Sequence, residues 1–235
     1  MNDNFCPKVS PEGIHYLDLS GFMTIPCGTI TRNESFSLAE LQNFILKIVQ
    51  SDNTASQKYM RLIQLNQKHT NIIIKADSNH DKPADGVYSD SRDDILIIKT
   101  ADCFPVFLYD GRTCGLIHVG WRGAFAGIIG NFLEQAGNFN PTKAKAAIGP
   151  GIESCCFEVS PEVALLFDSK YRHQKKDCFF IDLRGFIIDE LTKIGVKCVV
   201  SCEACTACKP NWFYSYRREG KKDKQMLSYI CSGGK

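Results

Sequence analysis

The chain lacks any apolar run long enough to cross a bilayer. A transmembrane helix needs about 20 uninterrupted apolar residues, and the best stretch, residues 95–109, is broken by Lys99, Asp102 and Pro105. It also lacks a surplus of one charge. Twenty-eight basic residues stand against 26 acidic ones, a net charge of +2, so neither a nucleic-acid backbone nor a membrane surface is expected as partner. The one basic cluster, Arg217, Arg218, Lys221, Lys222 and Lys224, has no interleaved aromatics and reads as a solvated loop. The opening residues, MNDNFCPKVS, hold no apolar stretch of the secretory type, and the expected location is the cytoplasm. No repeat, low-complexity tract or Pro/Gly/Ser-rich linker interrupts the 235 residues. With 44% hydrophobic and 23% charged residues, one domain over 1–235 with a sizeable core is expected.

Cysteine, by contrast, is abundant, with 12 residues. Without an export signal, reduced thiols are the default. Cys6, Cys27, Cys114, Cys178 and Cys231 are scattered, and most are expected as small core residues. Adjacent Cys155 and Cys156 suit packing better than a disulfide. The spacing of Cys198, Cys202, Cys205 and Cys208 suggests structural zinc or an iron–sulfur cluster. In a strand over 197–202, however, Cys198 and Cys202 share one face and Cys205 points oppositely. That pattern weighs against a cluster unless the chain turns sharply after Cys202.

Periodicity supplies the elements. Ser37-Leu38-Ala39-Glu40 is a capping-box pattern followed by apolar residues at helical spacing, which predicts a helix over 38–50. Residues 72–74, 95–98, 106–109, 115–119, 144–148 and 197–202 read as strands. Further helices are expected after Trp121 to about Gly137, from Ser160-Pro161 to about Phe167, and after Asp182 to Gly195. Strands and helices mix without a regular βαβ alternation, so the class is α+β with mixed β-sheets.

Chemistry concentrates in residues 99–123, KTADCFPVFLYDGRTCGLIHVGWRG. Cys103 ends one strand and His118 another in the same hairpin region, with Asp102 and Arg122 beside them. A thiolate, an imidazole, a carboxylate and a guanidinium so placed suit either a Cys/His nucleophile or a metal site. Upstream, His69 follows Asn66-Gln67 in a polar stretch.

Seven segments appear in the order found in the YfiH family, and over residues 60–220 the chain resembles it. They are Asn66-Gln67-x-His69, Thr100-Ala101-Asp102-Cys103-x-Pro105, His118-x-Gly120-Trp121-Arg122-Gly123, Gly149-Pro150-x-Ile152, Cys156-Phe157-Glu158-Val159, Cys205-Thr206 and Phe213-Tyr214-Ser215-Tyr216-Arg217-Arg218. The family was first labelled laccase-like and is described as purine nucleoside phosphorylases with adenosine deaminase activity. The resemblance implies a layered α/β/β/α sandwich with zinc bound by His69, Cys103 and His118, copper being the second choice. Two imidazoles and one thiolate leave an open fourth position, as catalytic zinc sites do. The resemblance further implies a purine nucleoside and phosphate as small-molecule partners. Asp102 and Arg122 are the candidate catalytic residues, and Gly149, Ser215 and Arg217 the candidates for substrate binding. Five histidines without a His-x-His pair argue against multicopper chemistry.

Three departures bear on substrate choice. The family's Arg-x-Gly-Gly-x-Ser segment is replaced by a stretch with Arg32 and Ser35 but no glycine pair. Thr70 stands where glycine usually follows the zinc histidine, and the usual Thr-Gly-Arg after Arg218 is missing. Two other readings remain open at this level. One is a Cys/His hydrolase, such as a peptidoglycan-precursor editing enzyme, with Cys103 as nucleophile and His118 as base. The other is a non-enzymatic metal-binding module built on Cys198, Cys202, Cys205 and Cys208.

Overall fold

The computed structural model describes residues 4–52, 60–78, 81–221 and 223–231. His80 and Lys222 lie outside them. Two six-stranded mixed sheets pack face to face. The first runs β1 (Cys6–Val9), β2 (His15–Asp18), β3 (Cys27–Ile30), β15 (Met226–Cys231), β7 (Asp94–Thr100) and β4 (Arg61–Gln64). The second runs β14 (Cys198–Ser201), β10 (Lys145–Ile148), β8 (Phe104–Tyr109), β9 (Cys114–Val119), β6 (Gly86–Ser89) and β5 (Ile73–Lys75). A small third sheet holds β11 (Glu158–Val159), β13 (Cys178–Ile181) and β12 (Arg172–Lys175). The pairs β4/β7, β5/β6 and β10/β14 are parallel, and the others are antiparallel.

Both sheets are buried on two faces, which explains why their central strands read as continuous apolar runs rather than alternating ones. In β7, Leu96 and Ile98 point between the sheets. Ile95 and Ile97 face the other way, onto helix α2 (Leu38–Asp52), where they meet Phe44, Ile45 and Val49. In the second sheet, Phe107 and Leu116 join the inter-sheet core. Val106, Leu108, Ile117 and Val119 pack outward on α4 (Ile128–Gln135) and α6 (Leu183–Lys193). Each such side chain, fully buried, stabilises the fold by roughly 1.5–3 kcal/mol before chain entropy is counted. The layers are therefore α/β/β/α, as the resemblance implies.

Short helices complete the chain: α1 (Ser20–Met23), α3 (Trp121–Phe125), α5 (Pro161–Ala164) and α7 (Tyr216–Glu219). The capping box forms reciprocally, Glu40 accepting from the Ser37 amide at 2.7 Å and Ser37 Oγ accepting from the Glu40 amide at 3.3 Å. Asp182 caps α6 through the Gly185 amide at 2.9 Å. The single helix expected after Trp121 is two, because Gly127 takes a φ of +79° and breaks it between α3 and α4. The helix after Ser160 is a single turn that stops at Ala164, short of Phe167. Cys6 is exposed rather than in the core.

Candidate metal centre

The chain crosses from the first sheet to the second twice near one rim of the sandwich. His69 lies in the first crossing, between β4 and β5, and Cys103 in the second, between β7 and β8. His118 is on β9, opposite Pro105 of β8, and shares the inward-facing side of Cys114 and Leu116. Strand register thus brings three residues, 15 to 49 positions apart in sequence, to one place. Their donor atoms all lie within 4.8 Å of one another, and the two imidazole rings are 4.9 Å apart between centroids. His118 is buried and His69 is exposed, so the centre opens to solvent on the His69 side.

The motif residues around the three candidate donors have identifiable tasks. Gln67 imitates a neighbouring strand: its amide donates to the Lys99 carbonyl and accepts from the Lys99 amide, both at 2.8 Å. Asn66 donates to the Asp81 carbonyl at 2.9 Å. The Gln67 pair tethers the His69 loop to β7, and Asn66 ties it to the turn ahead of β6. Gly120 leaves room for the donors, since a Cβ there would come within 2.9 Å of Cys103 Sγ and 3.2 Å of His69 Cδ2. His69 and Asp102 carry φ values of +61° and +90°. Such backbone is unfavourable for residues with a Cβ and persists only where the surroundings impose it.

What imposes it at His69 is Asp85, a residue that sequence reasoning passed over. Its carboxylate is fully buried and accepts from the backbone amides of Lys68 (3.1 Å), His69 (3.0 Å) and Thr70 (2.6 Å). It also accepts from Thr70 Oγ1 at 2.8 Å and pairs with His118 Nδ1 at 2.7 Å. Burial opposes its charge, but the His118 and Thr70 hydrogen bonds outweigh burial and hold its pKa at about 2. With Nδ1 committed to Asp85, His118 is left with Nε2 to present to a metal, the usual way a ligating imidazole is oriented. Burial would push the Cys103 thiol up. The adjacent His118 and His69 overcome this and bring it below its ordinary value, and His118 is raised in return. A ready thiolate, two imidazoles and a glycine-lined cradle fit a single zinc ion.

The other expected residues separate into two groups. Arg122, on α3, is exposed and stacks its guanidinium 4.4 Å from the Trp121 ring centre. No carboxylate among the described residues forms an ion pair with it. Asp102 is buried, and its two oxygens accept from Thr206 Oγ1 at 2.6 Å and the Arg217 amide at 2.7 Å. Arg217 uses its guanidinium on the carbonyls of Cys156 (2.9 Å) and Glu158 (2.8 Å). Ser215 is buried and caps α7 through the Arg218 amide at 3.2 Å. Arg218 in turn holds the carbonyls of Thr206, Ala207 and Phe213. Both arginines of the basic cluster therefore clamp backbone, Arg217 while still exposed and Arg218 half-buried. Gly149 is buried at the end of β10, its amide donating to Pro105 at 2.8 Å.

Fold and site together define an α+β sandwich with a three-donor candidate metal centre at its rim. The chain belongs to the YfiH family: the family model described as multi-copper polyphenol oxidoreductase laccase matches residues 45–232. It is 30% identical to the purine nucleoside phosphorylase of Aquifex aeolicus, over 70% of this chain and 80% of that protein. It is 31% identical to purine nucleoside phosphorylase RP494 of Rickettsia prowazekii, over 80% and 82%. The crystal structure of YlmD from Geobacillus stearothermophilus superposes with a TM-score of 0.80 at 23% identity, over 97% of this chain and 98% of that one.

Proposed function

We propose that the protein is a zinc-dependent purine nucleoside phosphorylase, acting on adenosine, inosine, guanosine or methylthioadenosine, with adenosine deaminase activity. The observation that carries this reading is the convergence of His69, Cys103 and His118, oriented by Asp85, in a chain about 30% identical to proteins named purine nucleoside phosphorylase. A zinc ion held by the three donors supplies Lewis acidity at its open position.

The chain's own residues supply the rest. The guanidinium of Arg122 offers its fork of donors to phosphate, whose geometry it matches two-pronged. In phosphorolysis a phosphate oxygen bonds to C1′ of the ribose as the bond from C1′ to the purine nitrogen breaks. The base leaves with a proton. In deamination water replaces the 6-amino group and ammonia leaves. Asp102, fixed by Thr206 and Arg217, positions Cys103. Gly149, Ser215 and Arg217 shape the substrate side through the backbone they hold.

The test is incubation of the zinc-loaded protein with adenosine in phosphate buffer, with products separated by chromatography. Adenine with ribose 1-phosphate is expected from phosphorolysis, and inosine from deamination; Cys103→Ala is expected to abolish both. Wild-type rates in Cys103→Ala would overturn the assignment. Hydrolysis of another substrate that survives chelation but not Cys103→Ala would move the chain to the Cys/His hydrolase reading.

A further inference from the structure

A second group of donors lies outside the site described above. The expected set of Cys198, Cys202, Cys205 and Cys208 does not assemble: Cys198 is exposed on β14 and Cys202 is fully buried in the inter-sheet core. Cys205 and Cys208 meet Cys155 and Cys156, which sequence reasoning had assigned to packing. The four sulfurs all lie within 4.8 Å of one another. Cys155 and Cys156 are separated by 3.7 Å, Cys155 and Cys208 by 3.7 Å, and Cys156 and Cys208 by 3.3 Å. We propose that Cys155, Cys156, Cys205 and Cys208 form a second, mononuclear metal site, a tetrathiolate that takes one zinc ion.

The geometry matches the ion. Zinc bonds sulfur at about 2.3 Å in a tetrahedron, which sets neighbouring sulfurs about 3.8 Å apart. A four-iron cluster would place each sulfur on a separate iron and spread the group far wider. All four residues are free thiols, and thiols are weak hydrogen-bonding partners that give little reason of their own to gather. Cys205-Thr206-Ala207-Cys208 has the short Cys-x-x-Cys spacing of structural zinc turns. The opposing pair sits on the turn between β10 and β11, and the two segments are joined where the Thr206 amide donates to the Gly151 carbonyl at 2.9 Å. Exposed Cys155 and Cys208 give the ion a way in. Binding releases the thiol protons and leaves a net charge of −2 at the centre. The Arg217 guanidinium, bonded to the Cys156 carbonyl, partly offsets it.

The site has a structural task. Thr206, between two of the cysteines, donates to Asp102 beside Cys103. An ion joining the two turns would hold that donor in place. Zinc at the four cysteines requires no turnover at the His69/Cys103/His118 group.

Metal content of the reduced, zinc-supplemented protein tests it, measured by native mass spectrometry. Two zinc ions per chain are expected. Cys155→Ser/Cys208→Ser should lose one and keep the other, and Cys103→Ala should show the reverse. With cobalt(II) in place of zinc, the strong near-ultraviolet thiolate-to-metal band should persist in Cys103→Ala and collapse in the serine double variant. A maleimide count on intact wild-type protein guards against misfolded variants: zinc should block Cys155 and Cys208, and a chelator should release them. A single zinc lost only with Cys103→Ala, or Cys155 and Cys208 labelled in the presence of zinc as freely as exposed Cys6 and Cys198, would overturn the proposal.

Discussion

The two donor groups flank the same residue and are built on different principles. Asp102 precedes Cys103 in the chain and takes a hydrogen bond from Thr206, which stands between Cys205 and Cys208. The His69/Cys103/His118 group is backed by a buried carboxylate with five hydrogen bonds. The four cysteines are backed by turns and backbone. The chemistry of the donors accounts for the contrast. An imidazole has two nitrogens and must be told which one to present, and a carboxylate behind it does that. A thiolate has one donor atom, so a turn of suitable shape is enough.

Asp85→Asn should separate the two most sharply. It keeps the shape but removes the charge, and metal affinity at the imidazole group is expected to fall about 10- to 100-fold. A chelator competition would read this; equal losses at the cysteine group would break the comparison. Arg122→Ala lies outside both groups and should leave both metals bound. Losing a charged hydrogen bond of about 1.5–3 kcal/mol to phosphate should raise the phosphate KM about tenfold or more. An unchanged KM would remove Arg122 from the phosphate site.

Gly120→Ala should crowd Cys103 and His69 and cost about 1–3 kcal/mol of stability, visible as a lowered denaturant midpoint. The cysteine group should not notice it. Thr70→Gly, which restores the residue usual in the family, removes the Oγ1 bond to Asp85. A cost of about 1 kcal/mol is expected. A stability gain would show that the threonine strains the loop rather than securing it.

The three candidate donors were legible because each lies in a short motif whose neighbours anchor it, as Gln67 does for His69. Asp85 was not. It sits in Lys82-Pro83-Ala84-Asp85-Gly86, which reads as an ordinary turn, and its partners are 15 to 33 residues away. Only its position just ahead of a strand beside β9 could have marked it. The meeting of Cys155 and Cys156 with Cys205 and Cys208 was not legible, for a related reason. Period-two reasoning described β14 correctly but could say nothing of a turn meeting another turn some 50 residues earlier. Long central strands and α2 were visible from local pattern. β1, β4 and β6 are four residues each, too short for a periodic signal.

The position of β15 has a consequence for how the molecule comes into being. It lies between β3 and β7, and its Ser228 bonds Thr29 across 199 residues of chain. While the chain is still emerging from the ribosome, the first three strands can pair with one another, but the free edge of β3 has no partner until residues 226–231 appear. Closing a sheet across so long a loop is entropically slow. The first sheet is therefore expected to form last, leaving a nascent chain with open strand edges for chaperones to cover.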